Sequence, residues 1–515
     1  MAIATQAAAV STSHSRLGRN LAVLAGSQAV TWSLGLLWTI FIPRALGPRG
    51  LGELTIATAV TGVVGVIAGL GIGTLLVKEI ARDHQHAAQL MGTALLVRTG
   101  AIVPALGAVG LYVLAVHPSR EQTLVLLLAA AAMVFGLLVQ PFQSAFQGIE
   151  RMEYLAYGDI LTKAVLSLVG IALVIIGFRA VGIMTMILGI SVVVLLMNVW
   201  WSRGKFGIDW TVDRDRVRRL VVDSLPYWTT GLVLTVYLWI DSVMLSAMSS
   251  TVVVGWYAVP TKIFGTLLFL PVILSTVMLP RLSAAFRDGA YALRAAGKPA
   301  LELVLVLSLP VAAGAALIAQ PFLATIYGPS FAPSYWVLVI LALTVPATYF
   351  DIMVNQVLIA SNRQVVWTKV MVAGAIVNPL INLFLIRYFQ DHLHNGAIGA
   401  ALSLLTTEAG IAVVGILLLP NMLDASSVLR LARAALATGG MALVVWTLNE
   451  FGLFVEVAAG AASFAALALI LRVLNREELT MLRGIAGRVV TRGSSRASTT
   501  RYRGWEDVSG QKFSR

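Results

Sequence analysis

Apolar blocks of bilayer-crossing length follow one another along almost the whole chain. Spanning the hydrocarbon of a membrane takes about 20 consecutive, mostly apolar residues. A backbone in that medium must satisfy its own hydrogen bonds, which an α-helix does within one segment. Such blocks occur near 20–42, 54–77, 88–116, 122–146, 154–178, 181–202, 222–246, 252–279, 299–320, 333–360, 365–389, 396–420, 428–449 and 452–474. Only 12% of the 515 residues are charged and 58% are hydrophobic, whereas a soluble domain carries about 25% charged residues. The predicted fold class is therefore an all-α polytopic membrane protein with about 14 transmembrane helices. Residues 1–19 are polar and end in Arg16 and Arg19. The block after them is too long for the apolar core of a cleavable signal, so it is expected to remain as the first span.

Charge asymmetry orients these spans, because Lys and Arg accumulate on the cytoplasmic side. Of the 37 Lys and Arg, about 28 fall on the side of the N-terminus, about 5 opposite (Arg44, Arg49, Arg120, Arg179, Arg387) and about 4 within spans. Adding or losing one early span would invert every later loop and erase the bias. Both termini are thus expected in the cytoplasm, with the chain a multi-pass protein of the cell membrane. The net charge of +13 points to anionic lipids, met through the basic loops and tail, rather than to nucleic acid.

The basic stretch 203–221 separates six spans from six more, which an added pair follows. Gly52-Glu-Leu-Thr-Ile-Ala after the first span parallels Gly255-Trp-Tyr-Ala-Val-Pro after the seventh, and Phe146-Gln-Gly-Ile-Glu-Arg after the fourth parallels Leu358-Ile-Ala-Ser-Asn-Arg after the tenth. The order and spacing of these pairs indicate two homologous halves. The division read from this is an N-terminal tail 1–19, an N-lobe 20–202 (spans 1–6), a linker 203–221, a C-lobe 222–420 (spans 7–12), spans 13–14 at 421–474 and a basic tail 475–515. In that tail Leu474, Leu479, Leu482, Ile485 and Val489 alternate with Arg476, Arg483 and Arg488, the pattern of an amphipathic helix on the inner leaflet.

No catalytic constellation is evident. The absence of cysteine excludes disulfides, thiolate metal sites and Cys nucleophiles, and no phosphate-binding G-x-x-x-x-G-K-[ST] loop occurs. Gly69, Gly71 and Gly73 end an apolar span with no strand before them, which reads as close helix packing. The pairs His84/His86 and His392/His394 lie in loops without further ligands nearby. No cofactor is implied.

The informative residues are ionisable groups inside spans, which are costly there and face a cavity or a partner. They are Arg98 in span three, Asp159 and Lys163 in span five, Asp241 in span seven, Lys262 in span eight, Asp351 in span ten, Lys369 in span eleven and Glu408 in span twelve. Asp159 and Lys163 are four apart with the acid first, the order that suits a local ion pair. Tyr227, Thr230, Tyr237 and Asp241 share one helical face, as do Asp351 with Asn355 and Asn378 with Asn382. These faces are expected to line a water-accessible interior.

Ile42-Pro-Arg-Ala-Leu-Gly-Pro-Arg-Gly-Leu-Gly-Glu-Leu resembles the signature after the first span of the bacterial polysaccharide exporters, the O-antigen and teichoic-acid-type flippases of the multidrug/oligosaccharidyl-lipid/polysaccharide exporter superfamily. Gly69-Leu-Gly-Ile-Gly with Lys78-Glu-Ile-Ala-Arg, Phe146-Gln-Gly-Ile-Glu-Arg-Met-Glu-Tyr, Leu225-Pro-Tyr-Trp, Trp239-Ile-Asp-Ser-Val-Met-Leu, Val254-Gly-Trp-Tyr-Ala-Val, Leu279-Pro-Arg-Leu-Ser, Tyr327-Gly-Pro-Ser-Phe and Gly396-Ala-Ile-Gly-Ala-Ala follow in that family's order. The resemblance implies two six-helix bundles around a central cavity, with two extra C-terminal helices. It also implies a lipid-linked oligosaccharide, undecaprenyl-pyrophosphate-type, carried from the inner to the outer leaflet by alternating access, with a polysaccharide polymerase as partner.

On that reading Arg98 leads the candidates for phosphate contact, with Arg44 and Arg49 at an outer gate, then Lys163, Lys262 and Lys369. Tyr227, Tyr237, Asn355, Asn378 and Asn382 would face the sugar. Asp241, Asp351, Glu408 and Asp159 would couple an ion or act as gates. The first span has no Arg or Lys in its interior, unlike lipid-II-type relatives, which disfavours a peptidoglycan precursor. The alternatives are a cation-coupled multidrug antiporter of the same superfamily and a membrane glycosyltransferase or polymerase. The second of these is opposed by outer loops of only about a dozen residues.

Overall fold

The first apolar stretch folds as one long helix with a deliberate fault. Pro43 and Pro48 each remove a backbone donor, and Gly47 between them sits at φ 67°, ψ 179°, outside the helical region and accessible to a residue without a side chain. The chain is seen here as a computed structural model that describes residues 2–473 apart from Val212, with side chains from Ser33 onward. Its helices are α1 (Ala2–Gly69), α2 (Ile72–Arg82), α3 (Ala87–Val116), α4 (Arg120–Gly148), α5 (Met152–Ala164), α6 (Gly170–Ile175), α7 (Ala180–Ser202), α8 (Arg214–Met248), α9 (Thr251–Leu267), α10 (Phe269–Arg287), α11 (Ala290–Leu317), α12 (Ala319–Phe322), α13 (Tyr335–Ala360), α14 (Gln364–Leu393), α15 (Gly396–Leu418), α16 (Ala425–Thr447) and α17 (Leu453–Ile470). A π-helical turn, Val165–Val169, joins α5 to α6.

Thirteen segments among the described residues are long and apolar enough to cross a membrane. The first of them, Ser33–Gly69, contains the Gly47 break, and its two arms carry the first two apolar blocks of the sequence, which accounts for about fourteen crossings. The chain is a multi-pass helical membrane protein of two six-helix bundles, with α16 and α17 added outside. The end of the bundle at Gly47 is called the kink face below, and the opposite end, where the 203–213 linker lies, the basic face. The linker is shorter than expected, because Asp213 caps α8 by accepting from the Asp215 amide, so residues from Arg214 onward are helical. The linker is held to the N-lobe where the Asp209 amide donates to the Ala88 carbonyl, over Gly92. The amphipathic helix and basic tail expected after residue 473 lie outside the described residues.

The two halves repeat in detail. Glu150 (φ 60°) and Asn362 (φ 57°) both adopt the left-handed conformation just past a helix. Each is followed by an arginine whose amide reaches back five residues, Arg151 to Phe146 and Arg363 to Leu358. This is the same left-handed cap, which satisfies otherwise orphaned helix-end carbonyls, at two positions that the sequence comparison had aligned.

A second fault interrupts the span after Gly47. Leu70 (φ 50°) and Gly71 (φ 66°) turn the chain left-handed between α1 and α2, where the sequence suggested one continuous block. Gly71 is required here by close approach as well as by φ, since a Cβ on it would lie 2.4 Å from the Trp228 amide nitrogen.

The added pair is fastened to α11 by a charged cluster at the basic face. Arg430 of α16 donates to Glu302 of α11 at 2.8 Å and to the Val473 carbonyl at 2.9 Å, and the Ser427 hydroxyl donates to Glu302 at 2.6 Å. Lys298 bonds Asp424 at 2.6 Å. The Lys298 ammonium, with the Ser426 hydroxyl and the Ser427 amide, holds the Asp424 carboxyl well below the usual carboxylate range. Because Glu302 and Arg430 are nearly excluded from water (side chains 9% and 13% exposed), removing one partner should cost more than an exposed pair would. Arg430→Met is expected to destabilise the docked pair by about 3 kcal/mol, read as a fall in thermal stability in detergent, and Glu302→Gln added to it should recover part of the loss. An unchanged melting temperature in Arg430→Met would show that α16 and α17 are held by apolar packing alone.

Candidate functional site

The lobes meet most closely at the kink face, and they do so at the repeat-related glycines. A Cβ on Gly52 of α1 would lie 1.9 Å from the Thr251 carbonyl oxygen of α9, and one on Gly255 of α9 would lie 1.9 Å from the Pro48 carbonyl oxygen. Small residues at a helix crossing let backbones touch, and here each half contributes its glycine to the same crossing. Around it, Arg44 donates to the carbonyls of Thr325 (2.9 Å) and Ile326 (3.3 Å). Thr251 donates to Gln122 at 3.0 Å, and the Tyr112 and Ser246 hydroxyls are 2.6 Å apart. Together these contacts join the lobes at the kink face.

A second seam follows α1 and α8 towards the basic face. The Trp228 indole N–H donates to the Val66 and Ile67 carbonyls, 3.2 Å to each, supplying donors to the end of α1 that its break leaves open. Lys78 donates to the Tyr227 hydroxyl at 3.4 Å.

Beyond this seam, helices further out pack within their own lobe. In the N-lobe α5 packs on α1, α4 and α7, and in the C-lobe α10 packs on α9, α11 and α13. The side chains of Lys163 of α5 and Lys262 of α9 are not covered by the helices around them, and the two lie near enough for their ammonium groups to repel each other. Each lies eleven residues into its span, counted from Met152 and Thr251, roughly 16 Å along the helix axis at 1.5 Å per residue. The two interacting cations therefore lie equally far along their spans, one from each lobe. Asp159, one turn before Lys163 and also exposed, interacts with it electrostatically.

The remaining sequence candidates sort by burial. Asp241 is 6% exposed. Its carboxylate accepts from Tyr257 of α9 at 2.8 Å and from Asn382 of α14 at 2.6 Å, and Asn382 also donates to Asn378 at 2.9 Å. Three C-lobe helices are tied at this point. Glu408 of α15 accepts from the Thr348 hydroxyl of α13 at 2.6 Å. Asp351, one turn along from Thr348, is buried with neither carboxyl oxygen hydrogen-bonded, and Asn355, a turn further, is half-buried.

Arg98 is 1% exposed: it donates to Gln140 of α4, lies against Gly69, and its Nε and Nη1 have no acceptor among the described residues. It thus stands behind the end of α1, withdrawn from water. Arg49 is exposed near Glu53 and Lys369 is exposed on α14. Tyr227 is taken up by the seam, and the Tyr237 hydroxyl is buried without a partner. Tyr257, Thr348 and Gln140 were not singled out from the sequence. Their only signal was that a buried hydroxyl or amide needs a partner.

A family model described as "Polysaccharide biosynthesis protein" matches residues 17–286. The chain belongs to that family. Over 489 residues it is 25% identical to the probable flippase AglR of Haloferax volcanii, covering 91% of this chain and 98% of that protein. Among solved structures it is similar to the lipid II flippase MurJ in an inward closed conformation, with a TM-score of 0.70, 16% identity and coverage of 87% of this chain and 98% of that one. It is also similar to an inward-facing multidrug resistance MATE family transporter, with a TM-score of 0.56, 19% identity and coverage of 78% and 94%. At these identities the structural likeness shows a shared fold.

The glycine crossing makes a direct prediction. Gly255→Ala cannot keep the present backbone separation, and overpacking of this kind costs about 1–3 kcal/mol. A disulfide between cysteines placed at Gln122 and Thr251, in this cysteine-free chain, should form about fivefold less readily in Gly255→Ala. An undiminished cross-link would show that the seam does not depend on the glycine.

Proposed function

We propose that this chain moves a lipid-linked saccharide, joined to an undecaprenyl-type carrier through pyrophosphate, from the inner to the outer leaflet of the cell membrane for surface polysaccharide synthesis. The observation that carries this reading is the pair Lys163 and Lys262, one cation from each lobe, near enough to interact, while the lobes are in backbone contact at the kink face. A pyrophosphate cannot enter hydrocarbon unshielded, and an ammonium group is a compact counter-charge that can follow a moving phosphate. The family membership and the flippase name of the relative support the same substrate class. The Lys and Arg bias assigns the basic face and both termini to the cytoplasm, so the gap takes its cargo from the inner leaflet.

The geometry gives the cycle a logic. Closing the basic face would bring two like charges together, which an empty gap resists and a bound phosphate between them relieves. Closure would then be coupled to release of the Gly52–Gly255 crossing, as alternating access requires. Sugars beyond the phosphate would meet the polar edges of the gap, among them Asn355 and Lys369, while the lipid remains in the bilayer. Asp241, tied to both α9 and α14, is the group best placed to couple a proton or small cation to this motion, because a change in its occupancy alters two interhelical hydrogen bonds at once.

A cation-coupled multidrug antiporter is the second reading, favoured by the buried carboxyls Asp351 and Glu408 in the C-lobe. Purified protein in vesicles holding a fluorescent polyprenyl-pyrophosphate saccharide decides between them. Wild type should expose the headgroup to an impermeant reagent, and Lys163→Met with Lys262→Met should slow this about tenfold or more without loss of folding. Wild-type rates in the double variant would remove the lysines from the path, and drug efflux without saccharide movement would favour the antiporter. Asp241→Asn keeps the shape but not the charge. It should abolish any dependence of the rate on a pH or cation gradient while leaving exchange at equilibrium measurable, and a retained dependence would place coupling elsewhere.

A further inference from the structure

The kink face holds a second polar recess, separate from the gap between the lobes. It is a cavity of about 310 Å³ built within the N-lobe from the α1 turn Ala45–Glu53, the start of α4 and the loop after α6. Its walls carry Arg49, Glu53, Glu121, Phe178 and Arg179. Glu53 is 3% exposed and, among the described residues, its side chain takes part in no hydrogen bond; it is ion-paired with Arg49 Nε at 3.8 Å. Glu121 and Arg179 also lie within electrostatic range of it. A buried carboxylate on a pocket wall without a donor has hydrogen-bonding capacity to spare.

We infer that this recess is a saccharide-binding subsite for one uncharged sugar ring. Two carboxylates and two guanidinium groups share the cavity, so a free anion meets the glutamates and a cation meets the arginines. A polyhydroxylated ring satisfies both, because each hydroxyl donates and accepts. Adjacent hydroxyls can give to Glu53 or Glu121 while taking from Arg49 or Arg179. Phe178, 49% exposed, offers an apolar face for the ring's C–H side. The volume is at the small end for a ligand pocket, which suits a single ring rather than a chain. For the source of the sugar the proposal rests on the transport reading. The kink face is then the outer side, and the recess would hold a terminal residue of the delivered saccharide. Since Glu53 directly follows Gly52, its occupant sits on the α1 turn that forms the lobe crossing.

The lack of cysteine in the chain provides the test. A single cysteine at Ala45, exposed at the rim of the recess, is labelled with a charged thiol reagent on full-length protein in nanodiscs. Neutral methyl glycosides (hexose, N-acetylhexosamine and deoxyhexose) should slow labelling about threefold at about twice their Kd, while inorganic phosphate and phosphorylcholine should not. Arg179→Met and Glu121→Gln, both at the rim, should each remove the protection; Glu53→Gln should do the same where it folds. The Lys163→Met/Lys262→Met variant should retain it, so loss of transport and loss of this site are read separately. Protection by no glycoside, equal protection by phosphorylcholine or phosphate, or protection that survives both rim substitutions would each overturn the proposal. Glycoside protection in a protein that moves no lipid-linked saccharide would uphold the subsite and sink only the transport reading.

Discussion

Hydrocarbon offers no hydrogen bond, so every broken helix and buried polar group in this chain must find its partner within the protein. The consequence is visible where α1 ends. The turn at Leu70–Gly71 frees the carbonyls of Val66 and Ile67, and the donor that reaches them is the Trp228 indole of the other lobe. The same turn is narrow enough, at Gly71, for the α8 backbone to press against it. At the far end of that arm the Gly47 break brings the Pro48 carbonyl against Gly255. The joints between the lobes therefore coincide with the faults in the N-lobe backbone, because a fault in a membrane helix needs an outside partner and the opposite lobe supplies it.

Buried charge is sorted by the same constraint. Glu302 and Arg430 are paired and fasten the added helices. Asp241 and Glu408 are held by neutral donors from neighbouring helices, with no ion-pair partner for either among the described residues, which on the proposed reading leaves room for a proton or cation. Arg98 and Asp351 retain atoms without partners. Unsatisfied buried groups are costly, and on the proposed transport reading they mark where a second arrangement would have something to gain. Lys163 and Lys262 are the opposite case, like charges from the two lobes left near each other without being packed over.

Much of this was legible beforehand, for identifiable reasons. Span length and charge bias are properties of single segments, so the crossings and the two-part plan could be read directly. The paired positions Gly52/Gly255 and Glu150/Asn362 could be aligned because a repeat preserves local order, and the structure gives the second pair one shared cap and places the first pair in contact. Asn378 and Asn382 were recognisable as neighbours from their helical spacing. What could not be read were pairings that depend on how helices are rotated against one another: Tyr257 with Asp241, Thr348 with Glu408, Gln140 with Arg98, and the facing of Lys163 to Lys262. The break at Leu70 was hidden for a different reason. The left-handed turn rests on a leucine beside a glycine in a run that remains apolar, so hydropathy passes through it unchanged. The glycines there were correctly read as close packing, yet their second role, turning the chain, needs φ angles to be seen.

The two seams also differ in what it takes to part them. The kink-face crossing is backbone against backbone at two glycines, with no ion pair joining α1 to α9 there among the described residues. Its dispersion contacts are individually weak, and its hydrogen bonds end on groups that water at a membrane surface can replace. The α1–α8 seam, by contrast, runs deep into the span and satisfies carbonyls that hydrocarbon cannot. A rigid-body rocking of the lobes would therefore keep the second as its axis and release the first. On the proposed reading this motion brings Lys163 towards Lys262. The energy of that approach would change sign with a pyrophosphate between them, so on this reading cargo charge, rather than any contact at the crossing itself, would determine which face is shut.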